Sequence, residues 1–313
     1  MRINSMTIDE MFEYLVKNNP NEKVKFIGSG TDSDAFRVGD LVCRFPHSAD
    51  VFNEYSKESK VCDFVRNAIS VPIPNIKLHD GDVQFAQHKM ILGKKWRWHA
   101  FMFHPIKQRR LANGIARFFA ELHSVDVSKF NQKSDKFAYV KFDDIADRIS
   151  PFLSKHQMKF FREKYNSVIN KPISKSDIVM CHLGIKGGNS VIDENGNLIG
   201  VFDFGNASCN ERWRDLGVIY MANNERLYRA VLREYERLTG IKCDRKRIAD
   251  VGSLEHFVHK RWFADDGSVL NMNDHKIKKY LAQGLVRFYH LPFRFRRILF
   301  HMMSLHKFLF GSK

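Results

Sequence analysis

An amide and a carboxylate stand at the two ends of a predicted hairpin near the middle of the sequence. Asn189 precedes one apolar run and Asp203 follows a second, and the Asn195-Gly196 step between the runs favours a tight β-turn. The oxygen atoms of Asn189 and Asp203 are hard ligands of the kind that Mg²⁺ prefers. Phosphoryl transfer needs such a metal, because it neutralises the triphosphate while the protein positions it. The spacing therefore predicts a magnesium site used in phosphoryl transfer.

The residues around this hairpin form a longer pattern. His182 ends an apolar run, Lys186 follows it closely, and Asp215 lies further on in W-R-D-L-G. The stretch resembles the catalytic loop and metal-binding step of the protein-kinase-like fold, and in detail the aminoglycoside phosphotransferase family. That family carries His-(Gly or Asn)-Asp, then an Asn, then an Asp-Phe-Gly step and then a further Asp. Here the matching positions are His182, Asn189, Asp203, Phe204, Gly205 and Asp215.

The resemblance implies a role for each matching residue. Asn189 and Asp203 would hold Mg²⁺, while His182 and Asp215 would shape the catalytic loop. Lys186 occupies the position of the catalytic-loop lysine of protein kinases, near the γ-phosphate. The implied cofactors are ATP or GTP together with Mg²⁺. The implied partner is a small molecule whose hydroxyl group accepts the phosphate.

One position departs from the family's pattern. Gly184 stands where the family has its catalytic Asp, which accepts the proton of the acceptor hydroxyl. A glycine cannot do this, and Asp193 lies in the turn of the hairpin, on its far side. Three hypotheses follow: an atypical or weakened small-molecule kinase, a nucleotide-binding pseudokinase that acts as a regulatory or binding module, or a kinase of an anionic or membrane-surface acceptor.

The N-terminal part of the chain contains a polar glycine loop. Residues 24–46 are predicted to form three strands separated by turns. The loop between the first two strands could place backbone N–H groups around a phosphate. Its residues are Gly28, Ser29, Gly30 and Thr31.

By the same resemblance, Arg44 matches the position from which the family offers Lys or Arg to the nucleotide phosphates. Glu58 falls 14 residues later on a predicted helix, which is the spacing of the family's orienting ion pair. The nucleotide base would bind to the hinge backbone near residues 88–91.

Apolar periodicity and helix breakers predict the remaining elements. Residues 129–150 are polar and irregular, and predicted helices cover 7–18, 50–67, 109–123, 152–169, 224–239, 253–264 and 274–289. Together with the resemblance, this pattern indicates an α+β, two-lobed, protein-kinase-like fold. A β-rich, nucleotide-clamping N-lobe would span residues 1–90. A mainly helical C-lobe, carrying the catalytic loop and the metal site, would span 91–313.

The chain is strongly basic, with a formal net charge of +16. From residue 206 onwards, 21 Lys and Arg stand against 11 Asp and Glu. Such a surface favours anionic partners, although no specific nucleic-acid motif occurs. Aminoglycosides are polycations that are held by acidic pockets, so the resemblance supports the fold and phosphoryl-transfer chemistry better than antibiotic modification.

The C-terminal segment 292–310 is basic and aromatic and carries no acidic residue. Its apolar spacing favours a last core helix, and the alternative is an amphipathic helix on an anionic membrane surface.

No apolar stretch is long enough to span a bilayer, and the five scattered cysteines favour reduced thiols in the cytoplasm. His256 and His259 share a predicted helix, but no carboxylate or cysteine at ligand spacing joins them in a metal site.

Overall fold

The computed structural model describes residues 6–30, 32–96, 101, 104–130, 142–150, 154–221 and 224–265. In chain order its helices and strands are α1 Ile8–Asn18, β1 Val24–Ser29, β2 Ser33–Val38, β3 Leu41–Pro46, α2 Ala49–Val65, β4 Lys77–Asp80, β5 Gln84–Lys89, α3 Pro105–His123, α4 Phe142–Ile149, α5 Lys155–Ile169, β6 Ile178–Cys181, β7 Ser190–Ile192, β8 Leu198–Val201, β9 Ser208–Glu211, α6 Trp213–Met221, α7 Glu225–Thr239 and α8 Arg245–Asp265. Contacts within the chain define two compact units, one built from residues 1–96 and 187–207 and the other from 97–186 and 208–313.

The first unit is organised around a five-stranded antiparallel sheet with the strand order β1-β2-β3-β5-β4. Along β2 the side chains alternate between half-buried and buried, which is the pattern of a strand with one face on the core. The helix α1 contributes Met11 and Leu15 to that core. There they pack with Phe36, Val38, Cys43, Phe45 and Phe85. This packing fixes β3, the strand that carries Arg44.

A capping box fixes the start of α1. The hydroxyl of Thr7 accepts the N–H of Glu10 at 3.2 Å, and the Glu10 carboxylate accepts the N–H of Thr7 at 2.6 Å. The two bonds satisfy donors that the first turn of a helix leaves open. The predicted helix start at this position is confirmed.

The hairpin of β7 and β8 belongs to the first unit. The backbone of Lys94 exchanges two hydrogen bonds with Ile192, at 2.8 and 3.0 Å. Gly93 permits this approach, because a Cβ there would lie 2.6 Å from the Cβ of Val191. These contacts explain why the hairpin, although distant in sequence, belongs to the same unit as residues 1–96. The sequence analysis had expected it in the C-lobe. The lobe boundary after residue 90 stays a prediction.

The second unit is mainly helical, and α3 packs along α7 while α6 packs on α8. Gly217 and Gly252 lie at the α6–α8 contact, where a Cβ on Gly252 would come within 2.7 Å of the Gly217 carbonyl oxygen. The strand β6 pairs antiparallel with β9 and packs on α3. Because β6 ends at Cys181, this pairing places His182 at the edge of the helical core.

The predicted α+β class is confirmed, and the predicted helices at 7–18, 50–67, 152–169 and 224–239 are present with small shifts in their bounds. Three expectations are corrected. The helix α3 begins at Pro105, because proline suits the first turn; α8 begins at Arg245; and α4 occupies part of the stretch 129–150.

Some predictions fall on other parts of the chain. The predicted helix 274–289 and the segment 292–310 lie outside the described residues, as do the side chains of His256 and His259. Among the described helices, none combines the length and the apolar character needed to cross a bilayer.

Candidate active site

The predicted ion pair between Arg44 and Glu58 is present in the first unit. Nη2 of Arg44 donates to Oε2 of Glu58 at 2.7 Å, and the Glu58 side chain is only 3% exposed. Burial alone would lower the pKa of the Arg44 guanidinium, but the Glu58 carboxylate, with smaller contributions that include Asp203, raises it. Arg44 is therefore a fixed cation that lies within electrostatic reach of Asp203.

The same carboxylate also holds the backbone beside Asp203. Oε1 of Glu58 accepts the N–H of Phe204 at 3.1 Å, and Phe204 itself is buried while Asp203 is exposed. Asp203 has a φ of 69°. A residue other than glycine in this left-handed region is held there by its surroundings. Glu58 thus links the cation on β3 to the strained step that presents Asp203.

Asn189 and Asp203 lie at the same end of the hairpin. The N–H of Phe202 donates to the carbonyl oxygen of Asn189 at 2.9 Å, which extends the β7–β8 pairing to the residue before Asp203. One residue offers an amide oxygen and the other a carboxylate, both suited to Mg²⁺. The donor set at this end of the hairpin fits the predicted metal.

The glycine loop is braced from within the first unit. The buried carboxylate of Asp34 accepts the Ser29 hydroxyl and contacts Nε2 of His47 at 3.1 Å. The N–H of Gly30 donates to the carbonyl of Ser33 at 2.8 Å, so this N–H closes the turn. Gly28 has a φ of 145°, and Thr31 lies outside the described residues. The sequence analysis missed Asp34, for which the alternation of β2 was the available signal.

In the second unit, Asp215 fixes the backbone of the predicted catalytic loop. Its fully buried carboxylate accepts the N–H of His182 at 2.9 Å and the N–H of Leu183 at 2.7 Å. Nε2 of His123 lies 3.1 Å from the same carboxylate. The loop conformation therefore depends on helices α3 and α6, which carry His123 and Asp215.

His123 is part of a buried network of polar side chains. Its Nδ1 lies 2.9 Å from the hydroxyl of Tyr235, and the oxygen of that hydroxyl accepts a hydrogen bond from Nη1 of Arg212 at 3.0 Å. Burial lowers the pKa of His123, although Asp215 opposes the shift. Burial likewise raises the pKa of Tyr235 to about 12. The sequence analysis missed Tyr235 and Arg212 as members of this network.

The loop itself offers no obvious carboxylate. The N–H of Gly184 donates to Nδ1 of His182 at 3.1 Å, so this imidazole nitrogen is already an acceptor inside the protein. His182 is fully buried, whereas Lys186 is exposed. Within the described loop, the imidazole of His182 is therefore not placed to replace the family's Asp as a base.

The family and the fold of this chain are shared with known proteins. The model of a family described as the phosphotransferase enzyme family matches residues 23–247. The chain is similar to the GDP and kanamycin complex of APH(2″)-IIIa, with a TM-score of 0.70 and 18% identity over 89% of this chain and 98% of that one.

Two further solved structures are similar. One is the streptomycin–ATP–APH(2″)-IIa ternary complex, with a TM-score of 0.62 and 21% identity over 91% of this chain and 99% of that one. The other is the macrolide 2′-phosphotransferase MphH from Brachybacterium faecium, with a TM-score of 0.60 and 13% identity over 91% and 99%. These likenesses confirm the predicted kinase-like α+β fold.

Proposed function

Because this chain belongs to the phosphotransferase enzyme family, we propose that it binds a nucleoside triphosphate with Mg²⁺ and transfers the γ-phosphate to a hydroxyl of a small molecule. One observation carries the proposal: the Glu58 carboxylate accepts hydrogen bonds both from Arg44 and from the backbone beside Asp203. A phosphate-binding cation and a metal-binding carboxylate are thereby fixed relative to each other. The nucleotide complexes of similar proteins support this assignment.

Asn189 and Asp203 would hold the metal. When bound, Mg²⁺ neutralises the charge of the triphosphate and makes the γ-phosphate easier to transfer. Arg44 would bind phosphate oxygens with its planar fork of N–H donors, which suits phosphate better than a point charge. Lys186, whose side chain is exposed, would stabilise the γ-phosphate. His182 and Asp215 keep the loop in shape.

The acceptor is proposed to be a small molecule with a free hydroxyl. Similar proteins are described in complex with kanamycin and with streptomycin, which are such molecules. The basic C-terminal third of this chain, in contrast, favours acceptors that carry less positive or even negative charge. An acceptor screen should therefore include neutral and anionic polyols beside the aminoglycosides. A membrane-surface acceptor and a cytoplasmic location stay predictions.

Transfer would proceed without a carboxylate base at position 184. The acceptor oxygen forms a bond to the γ-phosphorus while the bond to the bridging oxygen breaks, and the nucleoside diphosphate leaves. The proton of the acceptor hydroxyl would pass to water, because no carboxylate stands at position 184 to accept it. A general base typically contributes about 10²- to 10⁴-fold in rate, so we expect slow turnover.

Gly184 also favours a second candidate function, a nucleotide-binding module that does not catalyse transfer. Gly184 has no side chain, and Nδ1 of His182 accepts its N–H at 3.1 Å. Neither residue can therefore act as the missing base in the described loop. Such a pseudokinase would still use Arg44, Glu58 and Asp203 to bind the nucleotide.

Two measurements test these proposals. Calorimetry with ATP and GTP, with and without Mg²⁺, should show binding that the metal strengthens, and no binding in any combination would refute both. Radiolabelled transfer to the acceptor panel should then detect a phosphorylated product. A pseudokinase binds nucleotide but gives no product. If Gly184→Asp raises transfer or nucleotide hydrolysis strongly, the chain is a kinase weakened at this position.

A further inference from the structure

We propose that Tyr55 is a positioning residue for Arg44, and that its ring sets the orientation in which the guanidinium meets the triphosphate. This inference rests on the proposed nucleotide binding and extends it to a residue outside the matched motifs. The central observation is that Cζ of Arg44 lies 4.5 Å from the centroid of the Tyr55 ring.

The strands on either side of Arg44 place small residues opposite it. In the strand register, Arg44 stands opposite Ala35 on β2 and opposite Ala86 on β5. Both neighbours are small, so the strands beside Arg44 offer no large side chain in register to restrain a long, flexible one. In the part of the chain that the structure describes, the hydrogen bond and the ring contact of the Arg44 guanidinium both come from α2.

Two residues of α2 make these contacts. Tyr55 and Glu58 are three positions apart, so they share one face of the helix. Both are buried, at 6% and 3% exposure. Glu58 accepts a hydrogen bond from Nη2 of Arg44 at 2.7 Å, while Tyr55 presents its ring to the guanidinium.

The two contacts do different things. A single hydrogen bond through Nη2 fixes one corner of the guanidinium but allows its plane to rotate about that corner. Nε of Arg44 is buried and has no hydrogen-bond partner among the described residues, so it adds no second restraint. A cation over an aromatic face is attracted to it, most strongly when both are shielded from water. The ring of Tyr55 therefore restrains the plane that Glu58 leaves open.

This orientation matters because the residue is an arginine. The directional fork of a guanidinium binds phosphate well only in the correct plane, whereas a lysine ammonium could rotate its donors freely. Pre-orienting the fork lowers the cost of ordering it when the nucleotide binds. The aromatic ring, rather than the phenolic hydroxyl, is the part that we expect to matter.

The test compares three variants in calorimetry with Mg²⁺–ATP. Tyr55→Leu removes the ring and should weaken affinity by about 3- to 30-fold, the range of a shielded cation–π contact. Tyr55→Phe keeps the ring and should stay within about twofold. The matched control is Val61→Ala, a buried position of the same helix. It should lower the melting temperature without changing the affinity.

A double-mutant cycle separates positioning from general damage. In an Arg44→Met background, Tyr55→Leu should cause no further loss of affinity, and a full further loss would overturn the inference. An unchanged affinity of Tyr55→Leu in the wild-type background would overturn it as well.

The same cycle measured by urea unfolding does not depend on nucleotide. If the wild type binds no nucleotide, the proposed function fails and Tyr55 has no role in it. Coupling between Tyr55 and Arg44 in the unfolding free energy then still establishes the positioning contact. Absence of that coupling overturns the contact itself.

Discussion

Leu183 donates its backbone N–H to Oδ1 of Asp215 at 2.7 Å while its own backbone is left-handed, with a φ of 58°. A leucine in that conformation costs on the order of 1–3 kcal/mol. The hydrogen bond to a fully buried carboxylate helps to hold the residue there. The N–H of His182 donates to the other oxygen at 2.9 Å. Asp215 therefore determines the shape of the loop that carries Gly184 and Lys186.

The first prediction concerns this carboxylate. An Asp215→Asn side chain has one carbonyl oxygen, so one of the two loop N–H groups would face an NH₂ donor. We expect the free energy of unfolding, measured by urea denaturation, to fall by about 2–4 kcal/mol. The control is Asp63→Asn, whose side chain is 61% exposed in a surface pair with Arg66. It should change stability by about 0.5 kcal/mol or less. Equal effects would show that the loop does not depend on Asp215.

Two parts of the site followed from the sequence because their determinants are local or have a fixed spacing. The Asn195-Gly196 step favours a tight turn, and Gly196 indeed has a positive φ of 84°. Arg44 and Glu58 were paired from their spacing by resemblance, and the ion pair is present at 2.7 Å.

Other parts depend on which distant elements pack together. Tyr235 contacts His123 across 112 residues of sequence, and no periodicity relates positions that far apart. The sequence showed that Tyr235 lies on the apolar face of a helix, and therefore that it is buried. It could not show that α7 packs along α3 or that a histidine stands opposite. The contact between the Tyr55 ring and the Arg44 guanidinium was missed for the same reason. In the sequence, Tyr55 looks like an ordinary apolar position of a helix.

The second prediction tests the link through Glu58. Glu58→Gln keeps one acceptor oxygen, so either Arg44 or the N–H of Phe204 loses its partner and the negative charge is gone. We expect calorimetry to show a loss of nucleotide affinity of about 10- to 100-fold. Glu54→Gln is the matched control, because Glu54 lies on the same helix in a partly exposed pair with Lys57. A comparable loss in the control would argue against a specific role for Glu58.

The third prediction concerns the proposed metal ligands. Asparagine tolerates the left-handed backbone that Asp203 adopts, so Asp203→Asn should keep the fold while removing the charge. Mg²⁺ should then no longer strengthen ATP binding in calorimetry. Asp80→Asn, at an exposed position on β4, should leave the Mg²⁺ effect at the wild-type level. Retention of the effect in Asp203→Asn would place the metal elsewhere.

The fourth prediction concerns the buried ion pair between α8 and the end of β9. Arg247 donates from Nε and Nη2 to the two oxygens of Glu211, at 2.6 and 2.7 Å, and both residues are buried. Arg247→Ala leaves the Glu211 carboxylate without this partner, so urea denaturation should show a loss of about 3–5 kcal/mol. The exposed pair of Arg237 with Glu234 is the comparison, and Arg237→Ala should cost much less stability than Arg247→Ala. Similar losses for the two variants would contradict the buried role of Arg247.

The fifth prediction is a pH dependence that arises from His123. Burial lowers the pKa of His123 below its ordinary value, and the titratable or charged groups near it include Asp215, Tyr235, Arg212 and Cys181. In the unfolded chain a histidine titrates at about pH 6.5, so below that pH the unfolded state binds more protons than the folded state. The free energy of unfolding should therefore not be reduced by His123 above about pH 6.5. Below that pH it should fall, by at most about 1.4 kcal/mol per pH unit for one group.

Urea denaturation at a series of pH values between 7.5 and 5.5 would measure this slope. His123→Gln removes the titrating group but keeps a neutral polar side chain, so its slope should be shallower even if its overall stability is lower. His156→Gln, on the exposed side of α5, should keep the wild-type slope. His88 contributes in the same direction, because burial also lowers its pKa, and so a residual slope is expected in His123→Gln. An unchanged slope in His123→Gln would mean that the buried network does not exclude a protonated imidazole.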